Sequence, residues 1–259
     1  MVKAVAGEAA LKARRIIKSR GTGEEHWRTD FLGKPGDGGG IKNEPQAFLI
    51  EMHADETILP HFHEVDQFQV FVSGAGSLGR NKEAAQPLSV HYADHHTGYG
   101  PINAGPHGYS YFTLRAKSDP GAHYLHKPGY REALKPSRKR HGVAAGITLS
   151  TEPVLMDLKE AKVERLLQDL DGSDGLGASL IRMGPGLKRI GPDPRATGGL
   201  YYLVLNGSLE LDDGAYTAWS TVFVSRDDAP LAFKTGTKGL EALLLQFPRN
   251  SSEQSPTNS

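Results

Sequence analysis

One pattern of short strands occurs twice in the sequence, and this repeat limits the possible folds more than any other feature. One alignment joins residues 69–79 (QVFVSGAGSLG) to residues 202–212 (YLVLNGSLELD), and another joins residues 106–115 to residues 237–247. The pentapeptides FLIEM and SLIRM align at nearly the same offset. Short runs rich in β-branched and aromatic residues are typical of strands. Two copies of such a set predict an all-β protein made of two small jelly-roll barrels with a few short helices.

The segments outside the strand sets predict where the domains begin and end. Residues 1–20 and the segment MDLKEAKVERLLQDL have apolar side chains three and four positions apart, which favours helix. We therefore expect an N-terminal helix and loop arm at 1–44, a first barrel at 45–134, a linker with a helix at 135–175, a second barrel at 176–248 and a disordered tail at 249–259.

The amino-acid composition limits which binding partners and which cellular compartment we expect. The 259 residues include 30 basic and 30 acidic side chains and no cysteine. Disulfides and thiolate metal sites are therefore excluded, and the balanced charge gives no reason to expect nucleic acid as a partner. We see neither an export signal nor an apolar run of the roughly 18–20 residues that cross a membrane. These features favour a cytoplasmic protein that acts on a small molecule.

Histidine is confined to the first part of the chain. All eleven histidines lie at or before His141. His61 and His63 lie two residues apart in LPHFHEVDQFQVFVSG, and alternate residues of an extended segment share a face. Two imidazoles placed in this way can bind one metal ion at about 2.0–2.1 Å, although two histidines on the exposed face of an edge strand would give the same pattern.

The histidine segment resembles the first sequence motif of the cupin superfamily. His61, His63 and Gly74 match that motif, and Gln67 stands at its acidic position. The segment INAGPHGYSYFTLR resembles the second cupin motif and places His107 as a third histidine. The resemblance implies a bicupin whose first barrel holds one divalent metal ion through His61, His63, Gln67 and His107, and whose second barrel is degenerate.

The predicted ligands indicate which metal and which type of reaction to expect. Gln67 offers a neutral carbonyl oxygen where an acid would bring negative charge, so an ion would keep its full charge and open positions. Iron(II) is the favoured metal, with nickel, manganese and zinc left open. The resemblance implies an oxidoreductase, a non-haem iron dioxygenase acting on a small oxygenated substrate. The alternatives are a non-redox metal-dependent isomerase, lyase or hydrolase, or a non-catalytic cupin that binds a small ligand, which a closed site would favour.

Other residues near the motifs are further candidates. Either His95 or His96 could replace His107 as the third ligand. Arg115 would suit a carboxylate substrate, but an arginine at a strand end is also typical of a surface. The candidate substrate-binding residues are His53, Gln69, Tyr99, Tyr109 and Tyr111. The second barrel offers only Asp193 as a ligand, and barrels of this type often pair face to face, which points to a homodimer.

Overall fold

The structure is a computed structural model that describes residues 2–19, 21–34, 40–80 and 83–249. Apart from Arg249, the predicted disordered tail at 249–259 lies outside the described residues. The strands of the first half are β1 (Lys3–Val5), β2 (Arg15–Lys18), β3 (Glu25–Leu32), β4 (Gln46–Met52), β5 (Thr57–Ile58), β6 (His61–Phe62), β7 (Gln67–Leu78), β8 (Glu83–Ala84), β9 (Ser89–Ala93), β10 (Ile102–Arg115), β11 (His123–Tyr124) and β12 (His141–Ala144).

The second half continues the same antiparallel architecture. Its strands are β13 (Lys162–Leu166), β14 (Gly177–Met183), β15 (Lys188–Ile190), β16 (Leu200–Leu211), β17 (Gly214–Thr217), β18 (Thr221–Val224) and β19 (Ala232–Gln246). The helices of the described ranges are α1 (Gly7–Leu11) and α2 (Glu152–Met156), with a 3-10 turn at Pro194–Ala196. None of these helices has the length and apolar character needed to cross a membrane. The predicted all-β class is confirmed.

The chain divides into two compact units. Residues 7–149 form the N-terminal unit, and residues 2–6 join those from 150 onward in the C-terminal unit. The main sheet of the N-terminal unit has the order β12-β9-β7-β10-β4-β3-β2, and β11 pairs with β6 in a small separate sheet. The sheet of the C-terminal unit has the order β1-β18-β16-β19-β14-β13.

The N-terminal segment differs from the predicted helix and loop arm at 1–44. Helix α1 covers only five residues, and β2 and β3 are strands of the N-terminal sheet. Ile16 and Ile17 of β2 pair with Trp27 and His26 of β3. The β-branched side chains suit this ladder better than a helix, so strand pairing decides the structure of a segment whose local pattern favours helix.

The predicted linker helix is also wrong over most of its length. Helix α2 begins before the predicted segment, with Pro153 in its first turn, and ends at Met156. Residues Lys162–Leu166 instead form β13, which pairs with β14, and Glu164 forms an ion pair with Arg182 at 2.7 Å. The free edge of β14 offers backbone hydrogen bonds to this segment, and that pairing overrides its helical pattern.

The repeat seen in the sequence is present in the structure. In the N-terminal unit β10 lies between β4 and β7, and in the C-terminal unit β19 lies between β14 and β16. Gly74 has a φ of +78°, and a Cβ atom there would lie 2.2 Å from the carbonyl oxygen of Gly108. Gly207 has a φ of +67°, and its Cβ would lie 2.0 Å from the carbonyl oxygen of Gly239. Both units thus use one glycine pair at the same close approach of two strands.

Candidate functional site

A pocket of about 340 Å³ opens within the N-terminal unit. Strands β2, β3, β4, β7 and β10 contribute to its lining together with the segments around His61, Tyr99 and Asp119. Its volume is at the small end of the range for ligand pockets. The lining combines an apolar wall with histidines, three tyrosines and two arginines, so the pocket is suited to a small molecule with an apolar part and a polar part.

His61 and His63 face the pocket from β6 and the residue after it. The Nδ1 atom of His61 lies 2.7 Å from the carbonyl oxygen of Leu59, and the Nδ1 atom of His63 lies 2.7 Å from the Asp119 carboxylate. Both acceptors fix the proton on Nδ1 and leave a lone pair on Nε2. Burial, with His63 close by, lowers the pKa of His61 to about 3. Burial also lowers the pKa of His63, so both rings are neutral at neutral pH.

Tyr99 lines the pocket and is bonded to Gln67, a buried side chain that does not itself line the pocket. The Tyr99 hydroxyl lies 2.8 Å from Nε2 of His61, and it accepts a hydrogen bond from the Gln67 side-chain amide. Burial raises the pKa of Tyr99, which therefore keeps its proton and donates it to the lone pair of His61. Tyr99 is held in place because its backbone exchanges two hydrogen bonds with His61, at 3.1 and 3.0 Å.

Arg115 lies across the inner end of the pocket and is only 4% exposed. Its Nη2 atom lies 2.8 Å from Oε1 of Gln67 and 3.1 Å from each ring nitrogen of His63, and its Nη1 atom lies 2.7 Å from Oε1 of Gln46. A carboxylate oxygen of Asp119 lies 3.5 Å from Nη1 of Arg115. Burial opposes ionisation of Asp119, but the contacts of its carboxylate with His63 and with the charge of Arg115 outweigh that effect and lower the pKa of Asp119.

Arg28 is a second buried arginine of the pocket. Its Nε atom donates to Asp30 at 2.7 Å, and its guanidinium lies 3.6 Å over the ring of Phe48. Its Nη2 atom is buried and has no hydrogen-bond partner in the structure. Burial lowers the pKa of Arg28, Asp30 opposes that effect, and the nearby positive charge of Arg115 adds to it.

The structure does not bring the predicted third histidine to His61 and His63. His107 is exposed in the turn within β10 and does not line the pocket. His95 pairs with Asp66 at 2.7 Å, while His96 is buried beside the ring of Phe62. Neither lines the pocket. Tyr99 occupies the place next to His61 that a third histidine would need.

The predicted substrate-binding residues divide into two groups. Gln69, Tyr99 and Tyr111 line the pocket. The other two, His53 and Tyr109, do not: His53 is exposed after β4, and the hydroxyl of Tyr109 donates to the backbone of Ala85. The ring of Tyr109 stacks on Phe71 within the core, so its role is in packing.

The residues present do not fit a resident divalent ion. The lone pair of His61 accepts from Tyr99, Oε1 of Gln67 accepts from Arg115, and the guanidinium of Arg115 lies against the ring of His63, 3.1 Å from both of its nitrogens. Arginine is a permanent donor and cannot share these acceptors with a metal ion. Among the residues that the structure describes, no group of three or more His, Cys, Asp or Glu side chains is placed to hold a metal ion.

The corresponding positions of the C-terminal barrel are apolar or aromatic. The offset of the repeat pairs Gln67 with Leu200 and Gln69 with Tyr202, and both partners are buried in an apolar cluster. Asp193, the one ligand that the sequence offers there, forms an ion pair with an arginine two residues along at 2.9 Å, and both are largely exposed. The polar pocket residues are thus features of the N-terminal copy.

Sequence reasoning missed Arg28 and Asp119 and left Arg115 open. A signal for Arg28 existed in the strand EHWRTDFL, where His26, Arg28 and Asp30 alternate with other residues and so share a face. That signal becomes readable only once the segment is known to be a strand of the sheet. Asp119 lies in an irregular segment after β10, where no periodic pattern identifies it.

Comparisons with known proteins support the architecture. Neither a scan against protein-family models nor a search of curated proteins found a match. Solved structures do match. A dioxygenase candidate from Nostoc punctiforme has a TM-score of 0.60 at 12% identity, covering 98% of this chain and 85% of the other. Pirin from Escherichia coli, solved with nickel(II), has a TM-score of 0.51 at 10% identity, covering 96% and 100%.

Oxalate decarboxylase from Lactobacillus farciminis, solved with formate, is similar to this chain with a TM-score of 0.53 at 10% identity, covering 93% and 86%. At these identities the likeness shows the fold. The repeated strand order and the matches over nearly the whole chain define a protein of two jelly-roll barrels. The chain thus has the same fold as these three proteins, and this is the fold that the motif around His61 predicts.

Proposed function

We propose that the N-terminal barrel binds a small organic carboxylate that has an apolar body. The observation that carries the proposal is the guanidinium of Arg28, which lines the pocket while its buried Nη2 atom has no partner. A buried donor without an acceptor costs about 1–3 kcal/mol. A carboxylate supplies that acceptor and pairs with a guanidinium through two parallel hydrogen bonds.

The charge of the lining supports an anionic ligand. The basic residues Lys18, Arg28 and Arg115 face a single acidic residue, Asp119, in the lining. Asp119 is engaged by Arg115, and Arg28 is paired with Asp30 through its Nε atom, but the Nη2 atom of Arg28 has no acceptor. A carboxylate would supply that acceptor in a region where water screens charge only weakly.

The rest of the pocket wall is apolar, which indicates that the remainder of the ligand is apolar too. Phe48, Ile50, Ile58, Tyr111 and Tyr124 present carbon surface to the pocket. Burying apolar ligand surface there contributes about 25 cal/mol per Å². The combination favours an acid with a ring or a branched chain over a compact, wholly polar acid such as oxalate.

The closed hydrogen-bond network supports binding more than catalysis. The lone pair of His61 is occupied by Tyr99, the guanidinium of Arg115 covers the ring of His63, and Tyr99 keeps its proton. A general base needs a free lone pair within hydrogen-bonding reach of its substrate. The network therefore supplies a rigid frame for a ligand.

Calorimetric titration with benzoate, phenylacetate and 4-methyl-2-oxopentanoate, each beside its amide, tests the proposal. We expect at least one acid to bind and its amide to bind much more weakly. Arg28→Gln should weaken binding roughly 10- to 100-fold, because a charged hydrogen bond contributes about 1.5–3 kcal/mol. Equal affinity for acid and amide, or no effect of Arg28→Gln, would contradict the proposal.

Arg14→Gln is the matched control. Arg14 also stacks on an aromatic ring, at 4.1 Å over Trp27, and also pairs with a carboxylate, that of Glu51 at 2.7 Å. It does not line the pocket. This variant should bind the acid with unchanged affinity.

The second candidate is a metal-dependent dioxygenase, as predicted from the sequence. The observation that favours it is the anchoring of both Nδ1 atoms, an arrangement that histidine ligands of metals commonly have. It requires Arg115 to leave His63 and Gln67. About one equivalent of iron in the purified protein, lost in His61→Ala/His63→Ala, together with oxygen uptake on addition of the acid, would support it over the first candidate.

A further inference from the structure

The acceptors at the centre of the N-terminal barrel converge on a positive charge that the chain itself supplies. The Nη2 atom of Arg115 lies 2.8 Å from Oε1 of Gln67 and 3.1 Å from each ring nitrogen of His63, against the face of that ring. The Nε atom reaches the same Gln67 oxygen at 3.1 Å, and Nη1 reaches Gln46 at 2.7 Å. Three sides of one buried guanidinium are thus bonded to neutral acceptors.

The charges around Arg115 are balanced without an ion. Asp119 is buried and lies 3.5 Å from Nη1 of Arg115, so the pair is neutral as a whole. Gln67 brings no charge, because an amide stands where the cupin motif has an acid. A divalent ion beside His63 would add two positive charges a few Å from the guanidinium and would gain no new anion. In a buried site such repulsion is only weakly screened.

We propose that Arg115 stands in for the metal ion in this barrel, so that the cupin site of the chain works without a metal, and that removing Arg115 creates a divalent-cation site. The proposal does not depend on the carboxylate ligand. It rests on the contacts of one guanidinium with His63, Gln67 and Asp119.

Removal of the guanidinium changes both the geometry and the charge. In Arg115→Ala, Oε1 of Gln67 loses its donor, the ring of His63 loses the positive charge that lies against it, and both side chains face an empty volume. Asp119 keeps its negative charge, since Gly121 and Glu64 still donate backbone hydrogen bonds to it. Two imidazoles, a carbonyl oxygen and a nearby carboxylate form a donor set that suits zinc, cobalt and nickel.

The test is titration of the full chain with zinc(II) by calorimetry and with cobalt(II) by visible absorption. Wild type should bind neither ion at the centre of the barrel. Arg115→Ala should bind one equivalent, with affinity on the order of 100-fold or more above that of wild type. Adding His61→Ala/His63→Ala to Arg115→Ala should abolish that binding and the cobalt spectrum.

Arg28→Ala is the matched control, because it removes a buried positive charge from the same pocket but leaves Arg115 in place. It should bind no more metal than wild type. Circular dichroism establishes that each variant is folded, and Arg115→Met, which fills more of the volume with an uncharged chain, replaces Arg115→Ala if the latter does not fold.

Two results would overturn the proposal. One is a stoichiometric metal in wild type that is lost in His61→Ala/His63→Ala. The other is a folded Arg115→Ala or Arg115→Met that binds no metal. Neither result bears on the carboxylate affinity of wild type, so failure here is distinguishable from failure of the proposed function.

Discussion

Tyr99 connects the two parts of the pocket network. Its hydroxyl donates to Nε2 of His61 and accepts from the amide of Gln67, and Gln67 in turn accepts from Arg115. Each of these side chains is buried. A buried polar network of this kind stabilises the fold only when every member has its partner, so the loss of one hydroxyl leaves two polar atoms without partners.

Tyr99→Phe should therefore lower the free energy of unfolding of the N-terminal unit by about 1–3 kcal/mol, the usual cost of leaving buried polar groups unsatisfied. Urea unfolding measures the change. Tyr216→Phe is the control, because the hydroxyl of Tyr216 bonds to Asp213 at an exposed site and its loss should cost little. Equal effects of the two variants would contradict the assigned role of Tyr99.

At the scale of the elements, the close approach of β7 and β10 at Gly74 holds these two pocket strands in register. β7 and β10 pair along their length, with register shifts on both sides of this point. Gly74 has both a positive φ and a backbone oxygen where a Cβ would lie. Gly79 has a similar φ of +81° but open space around it. Substitutions at these two positions therefore separate the cost of backbone strain from the cost of steric contact.

Gly79→Ala should cost about 1–2 kcal/mol, the price of a left-handed conformation for a residue with a Cβ. Gly74→Ala should cost clearly more, because the same strain is joined by a contact with the backbone of Gly108 that no side chain can relieve. Thermal unfolding compares the two variants. A Gly74→Ala variant as stable as Gly79→Ala would contradict the claim that the close approach of the two strands excludes a Cβ atom.

The repeat and the motif histidines could be predicted from the sequence, but the arrangement of side chains at the centre of the site could not. Gly74 and Gly207 are visible because a turn and its strands are local in sequence, and His61 and His63 because a strand alternates. The roles of Arg28 and Arg115 depend on strands that pair far along the chain. A guanidinium in the place of an ion therefore cannot be inferred from any one segment.

At the scale of the whole molecule, the first residues of the chain belong to the C-terminal unit. β1 pairs with β18, with Lys3, Ala4 and Val5 opposite residues 221–223. Val2 and Ala4 pack against the apolar cluster of that unit. One unit is therefore built from both ends of the described chain.

A chain that lacks residues 1–6 should lose about 1–2 kcal/mol of stability in the C-terminal unit, since two small apolar side chains return to water and a strand loses its partner. Hydrogen exchange should show faster exchange in β18 and unchanged protection in β7 and β10. Faster exchange in β7 and β10 instead would contradict this division of the chain.

The central claim is that the N-terminal barrel binds a carboxylate through Arg28 and needs no metal ion. The most direct test is calorimetric titration of the acid that binds best into wild-type protein, before and after treatment with a chelator. We predict the same affinity in both, and a roughly 10- to 100-fold loss in Arg28→Gln under either condition. Binding that disappears with the chelator and returns with a divalent metal would contradict the account.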